Sequence, residues 1–232
     1  MFLVDYIATQ YLLVLIPIIL AFVAQAMVDA AYNKGNNVKV SSNRTGADVA
    51  QEMLASHGIT DVQIRMGRGH LTDHYNPRTK TLSLSRDVYQ LTTASSVAIA
   101  AHEVGHAIQH AEGYGMLKLR NSMVGVTNFA NSISWILIMI GLILGMFDLA
   151  LIGVGLFSLV AVFQLVTLPV ELDASRRAYA YLTSSNIVIE NEEKRCSKSV
   201  LKWAAFTYVV ALITSIAQIV RLLLVIAANK DD

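Results

Sequence analysis

Four stretches of the chain are almost unbroken in apolar residues, and they set its organisation. They run over 6–28, 129–147, 149–170 and 204–228. Each reaches the length of about 20 residues that a helix needs to cross a bilayer. The first has no basic leader and an apolar run too long for a signal peptide, so it is expected to stay as a membrane helix. The second and third are separated by little that is polar except Asp148. They predict a tight helical hairpin over 129–170 that returns the chain to the side it left. The spacing of Gly141 and Gly145, followed by Gly153 and Gly155, suits close helix packing there.

Two polar regions, 29–128 and 171–203, separate these spans. In the first, Thr45-Gly46-Ala47-Asp48 has the form of a helix start, with Thr45 as N-cap and an acid three residues on. Val49, Met53 and Leu54 then make a helical stripe that ends at His57-Gly58. Residues 62–66 alternate as a strand does. Residues 70–85 (HLTDHYNPRTKTLSLS) predict a β-hairpin turning at Asn76-Pro77. Thr92 or Thr93 can cap a helix over SSVAIAAHEVGHAIQH that stops at Gly113 or Gly115. In the second region, ELDASRRAYAYL (171–182) reads as helix, Ser184-Ser185-Asn186 breaks it, and the charged run 191–195 is expected to be a solvated face. The expected class is an integral membrane, mainly α protein. It is expected to have four transmembrane helices and a small α+β domain split between the two polar regions.

Composition agrees with a membrane chain. Of 232 residues, 54% are hydrophobic and 15% charged, with mean hydropathy +0.50; soluble domains carry about 25% charged residues. A net charge of +1 gives no reason to expect nucleic acid, and the single Cys196 excludes an internal disulfide. Of the 18 Lys and Arg, ten fall between Lys34 and Arg120 and six between Arg176 and Lys202. The positive-inside bias therefore puts both polar regions in the cytoplasm and both termini outside.

The candidate chemistry centres on His102-Glu103-Val104-Gly105-His106. On a helix, residues four apart share a face, so His102 and His106 can bind one zinc ion while Glu103 acts as general base. Apolar neighbours strengthen this reading, because buried imidazoles and a carboxylate need partners. The pattern requires a third ligand elsewhere. His110 lies about 12 Å along the axis from His102, too far for one ion. Gln109 and Glu112 stand where a metzincin would have Gly and His. His70 and His74 suit substrate contact or exposure better than ligation. Glu171 is the strongest candidate, because the hairpin returns it to the side that holds the two histidines. Such a set leaves the fourth position open for water.

The runs AAHEVGHAIQH, HYNPRTKTLSLS and LPVELDASRRA, together with the membrane helices, resemble the YugP-type bacterial membrane zinc metallopeptidases, a gluzincin-like group. The resemblance implies a zinc-dependent endopeptidase with His102, His106 and Glu171 as ligands and Glu103 as base. Soluble gluzincins have an Asp four residues after the ligand Glu to orient the first His. Ser175 stands there in this chain, so that bond is expected to be weaker or to come from Asp173, which points to another helical face. An edge strand, 82–85 or 70–74, can pair with an extended substrate, and His70, His74, Tyr75, Arg176 and Arg177 are candidates to stabilise an oxyanion.

The expected partners are membrane lipid and a peptide or membrane-protein substrate. Small membrane proteases also work with adaptors or as homo-oligomers, and the sequence marks neither. The alternative is a non-catalytic membrane scaffold or regulator with a structural zinc, closed by a fourth ligand such as His74. A metal transporter is disfavoured, because the spans hold almost no ionisable residues.

Overall fold

The computed structural model describes residues 2–69 and 72–230. Seven helices and three strands follow one another among these residues. They are α1 (Phe2–Asn36), α2 (Gly46–Ser56), β1 (Gln63–Met66), β2 (His74–Asn76), β3 (Thr81–Leu84), α3 (Arg86–Gln90), α4 (Ala94–Ala111), α5 (Gly115–Ile143), α6 (Phe147–Ser184) and α7 (Asn191–Lys230). Helices α1, α5, α6 and α7 are long and apolar enough to cross a membrane. The chain forms two compact units: residues 1–24, 119–168 and 207–232 in one, and 25–118 with 169–206 in the other.

In the first unit, Ile138, Ala150, Val154, Leu222 and Ile226 form a small buried cluster. Much of its large apolar surface is instead exposed, including Phe22, Phe129, Ile136 and Ile143. The glycines divide differently from their spacing. Gly141 and Gly153 are contact points, where a Cβ would come within 2.5 Å of Ala150 N and 2.7 Å of Ile138 Cγ1 respectively. Gly145 instead turns the hairpin with φ +68°, and a Cβ on Gly155 would meet open space.

The second unit carries the polar chemistry around a core that includes Val49, Met53, Leu82, Leu84, Val97, Val104 and Leu182. Helix α2 begins at Thr45 with a full capping box, in which the Thr45 hydroxyl accepts from Asp48 N and the Asp48 carboxylate accepts from Thr45 N. Thr93 caps α4 through Ser96 N. The hairpin of β2 and β3 is antiparallel, pairing Tyr75 with Leu82. Strand β1 adds in parallel on the far side of β3, giving the order β1-β3-β2. Leu82 and Ser83 therefore lie in the central strand, paired on both sides, and are unavailable to an extended partner, while Leu84 pairs with β1. The outer strand on the hairpin side is β2.

The charged run 191–195 is a solvated face at Asn191, Glu192 and Arg195, and Glu193 departs from it. Glu193 is 3% exposed, and its carboxylate accepts from the backbone N–H groups of Ser41, Ile189 and Glu190 and from the Ser41 hydroxyl. An acid in the first turn of α7 satisfies orphan helix N–H groups and faces the positive end of the dipole.

Candidate metal centre

Helix α4 is buried along most of its length by Val97, Ala98, Ala101, Val104 and Ile108. His102 and His106 leave this core on one face, their rings edge to face with centroids 4.8 Å apart. Glu171 approaches from α6, two residues after Pro169. Its Oε2 lies 3.3 Å from His102 Nε2 and 3.5 Å from His106 Nε2. One ligand atom from each of the three residues falls within 4.8 Å of the others.

Gly105 permits this approach. A Cβ there would come within 2.9 Å of Ala174 O, 3.0 Å of Ala174 Cα and 3.2 Å of Ala174 Cβ. Alanine is intrinsically better than glycine in a helix by about 1 kcal/mol. The atoms it would strike are backbone, however, and cannot swing aside. Overpacking of this kind costs about 1–3 kcal/mol, so the clash outweighs the propensity. Gly105→Ala is expected to lower the unfolding temperature and reduce the metal content of purified protein. An unchanged or raised unfolding temperature with full metal content would contradict the close approach.

The outer nitrogens of both imidazoles have partners. His102 Nδ1 lies 3.1 Å from Ser175 Oγ, and His106 Nδ1 lies 3.0 Å from Gln109 Oε1. Ser175 thus occupies the place of an orienting acid. Asp173 does not contact His102 in any described bond; it accepts from Gln109 Nε2, Arg177 Nε and Arg176. Burial disfavours a charged His106 ring, but the Glu171 carboxylate outweighs burial and raises its pKa above the ordinary imidazole value.

Glu103 stands beside the cluster, half-buried, with Oε2 accepting from Tyr75 N at 3.1 Å. The edge strand β2 therefore holds the acid through its backbone. Tyr75 turns its hydroxyl to His110 Nδ1 at 2.9 Å. His110 is outside the cluster, as its spacing requires. His74 is exposed, with Nδ1 near Thr72 O at 2.9 Å, and is also outside it. His70 lies outside the described residues. The Arg176 side chain is 78% exposed and pairs with Asp173.

Two contributors escaped sequence reasoning. Gln109 sits three residues after His106 and so shares its face, a signal that was readable. Asp73 accepts from Ser85 N at 2.6 Å and Ser85 Oγ at 3.0 Å, pinning the entry to β2. Burial raises its pKa, against the Ser85 hydrogen bonds that lower it. Nothing in the local sequence marked that contact.

Over residues 10–227 the chain matches the family described as "putative neutral zinc metallopeptidase". The chain belongs to this family. It is 41% identical over 213 residues to a protein of Bacillus subtilis (strain 168) named "putative membrane protease YugP", a match that covers 92% of this chain and 94% of the relative. No solved structure matches it.

The family implies zinc, and the donor set fits that ion. Tetrahedral bonds of about 2.0–2.1 Å place ligand atoms about 3.3 Å apart, close to the separations of Glu171 Oε2 from the two Nε2 atoms. The alternative occupant of this space is a proton shared between Glu171 and an imidazole. Two Nε2 lone pairs and a 2% exposed carboxylate converge on one point, and a cation there satisfies all three at once.

Proposed function

We propose that this chain is an integral membrane, zinc-dependent metalloendopeptidase that hydrolyses peptide bonds of proteins or peptides at the cytoplasmic membrane face. The observation that carries the reading is the convergence of His102 Nε2, His106 Nε2 and a Glu171 carboxylate oxygen, with Glu103 alongside. His102, His106 and Glu171 would hold the metal, and a zinc ion bound by them would supply Lewis acidity toward a carbonyl oxygen and a water. Glu103, with Oε2 anchored by Tyr75 N–H, takes the proton of the attacking water at Oε1 and passes it to the leaving amine. Strand β2 lies at the sheet edge beside this acid, which supports pairing of an extended substrate with it.

The four long apolar helices, the exposed apolar side chains of the first unit and the name of the Bacillus relative support membrane integration. The distribution of Lys and Arg supports cytoplasmic polar regions and outward termini. A scaffold with structural zinc would need a closing ligand. Among the described residues the cluster holds three donors, and His74 is not one of them.

Chelation and acid test this reading in the purified, detergent-solubilised protein. Hydrolysis of an unstructured protein substrate is expected to stop on chelation and return with added zinc. A proton and zinc compete for the same imidazole lone pairs. Since Glu171 raises the His106 pKa, proton occupancy grows already above the ordinary imidazole range as pH falls. Zinc content is thus full at alkaline pH and lost on acidification through that range. Hydrolysis that survives exhaustive chelation would overturn the zinc reading.

A further inference from the structure

Gln109 is fully buried in α4, one turn beyond His106, and its amide is fixed in one orientation by what surrounds it. A glutamine amide has two N–H donors and one acceptor oxygen. Here Nε2 lies 2.9 Å from Val170 O and 3.0 Å from Asp173 Oδ2. Both partners only accept: one is a backbone carbonyl, the other a carboxylate paired with Arg176 and Arg177. A flipped amide would set its oxygen against two acceptors in a buried site, leaving them unsatisfied. Oε1 must therefore face His106 Nδ1 at 3.0 Å, and Nδ1 must carry the proton. In the neutral ring this leaves Nε2 with its lone pair directed at Glu171 and His102.

We propose that Asp173 and Gln109 are positioning residues that act in series to fix the tautomer and ring orientation of His106 for zinc. The proposal rests on the zinc reading of the cluster. The orienting acid is displaced in this chain. It sits two residues after Glu171 and works on the second histidine through an amide. The outer nitrogen of His102, Nδ1, meets Ser175 Oγ at 3.1 Å, a hydroxyl that can donate or accept and so selects no tautomer. The carboxylate is itself anchored, since Arg177 bonds Asp173 Oδ2 at 2.6 Å and Glu112 Oε2, at the end of α4, at 2.8 Å. The Gln109–Val170 bond attaches the same amide to the residue preceding Glu171. One side chain thus ties the orientation of one ligand to the backbone beside another.

The test uses the full chain in detergent. Zinc dissociation constants come from competition with a chromophoric chelator, and ligand geometry from the visible bands of cobalt-substituted protein. Gln109→Met keeps the length of the side chain and removes all three polar contacts. It is expected to weaken zinc binding by about 10–100-fold, the usual effect of losing an outer partner of a ligand, and to alter the cobalt bands. Asp173→Leu should weaken zinc binding in the same direction but by less, because Val170 O alone then holds the orientation of the amide. Asp173→Asn should bind zinc close to wild type. Its oxygen can still accept from Gln109 and Arg177 while its amide faces the exposed Arg176, which can move away. The double variant Gln109→Met with Asp173→Leu should lose no more than Gln109→Met alone, as members of one series do.

A purely structural role predicts lower unfolding temperatures with unchanged zinc affinity and cobalt bands, and that result overturns the relay while wild type still binds zinc. Should Gln109→Met fail to fold, the comparison of Asp173→Leu with Asp173→Asn decides: equal affinities overturn the proposal. A wild-type protein that binds no zinc would instead overturn the zinc reading itself.

Discussion

Glu103→Gln is expected to abolish peptide hydrolysis while leaving zinc bound. The substitution preserves shape, and the amide oxygen can still accept from Tyr75 N in the place of Oε2. The cluster of His102, His106 and Glu171 does not include Glu103, so the donor atoms stay where they are. What disappears is the ability to take a proton from water and return it to the leaving amine. Loss of a positioned acid–base group costs about 10²–10⁴-fold in rate. Peptide cleavage by purified protein, normalised to zinc content, checks this. In cells, the same variant should retain uncut substrates in the membrane proteome, which would also identify them.

The second large effect is expected at Glu171. It contributes the only carboxylate oxygen of the cluster, is 2% exposed, and faces both Nε2 atoms. Glu171→Ala leaves two imidazoles on one face of α4, which grip an ion from one side only. The loss of zinc should exceed the about 10–100-fold typical of an outer partner, so that purified protein retains little metal and no activity. Glu171→Gln separates charge from volume: it keeps an oxygen in place but removes the negative charge that balances the cation. It should fall between wild type and Glu171→Ala in zinc affinity. Equal affinity in all three would mean that the metal is held elsewhere.

Much of the local structure was legible from the sequence because its causes are local. The capping box at Thr45 and the cap at Thr93 depend on residues three apart, and the turn after Asn76 on Pro77 and its neighbours. The meeting of His102 and His106 with Glu171 was legible for a different reason. The apolar pattern predicts a hairpin, and a hairpin brings 171 back to the side of 102. Contacts with remote partners were not legible. Alternation in 62–66 suggests a strand but cannot name β3 as its parallel neighbour. Glu193 looks like part of a solvated run until Ser41, 152 residues away, supplies N–H and O–H donors to it. The spacing Gly141-x-x-x-Gly145 suggests two contact points, yet one of the two is the turn itself. Asp173 makes no described bond to His102, and the sequence could not show that Gln109 would reach it from α4.

In the proposed function zinc is held by α4 and α6 together and Glu103 performs the proton transfer. Zinc stoichiometry and peptide cleavage measured side by side in wild type, Glu103→Gln and Glu171→Ala test it most directly. Wild type should have both, Glu103→Gln should have zinc without cleavage, and Glu171→Ala should have neither. Cleavage by Glu103→Gln, or stoichiometric zinc in Glu171→Ala, would contradict it.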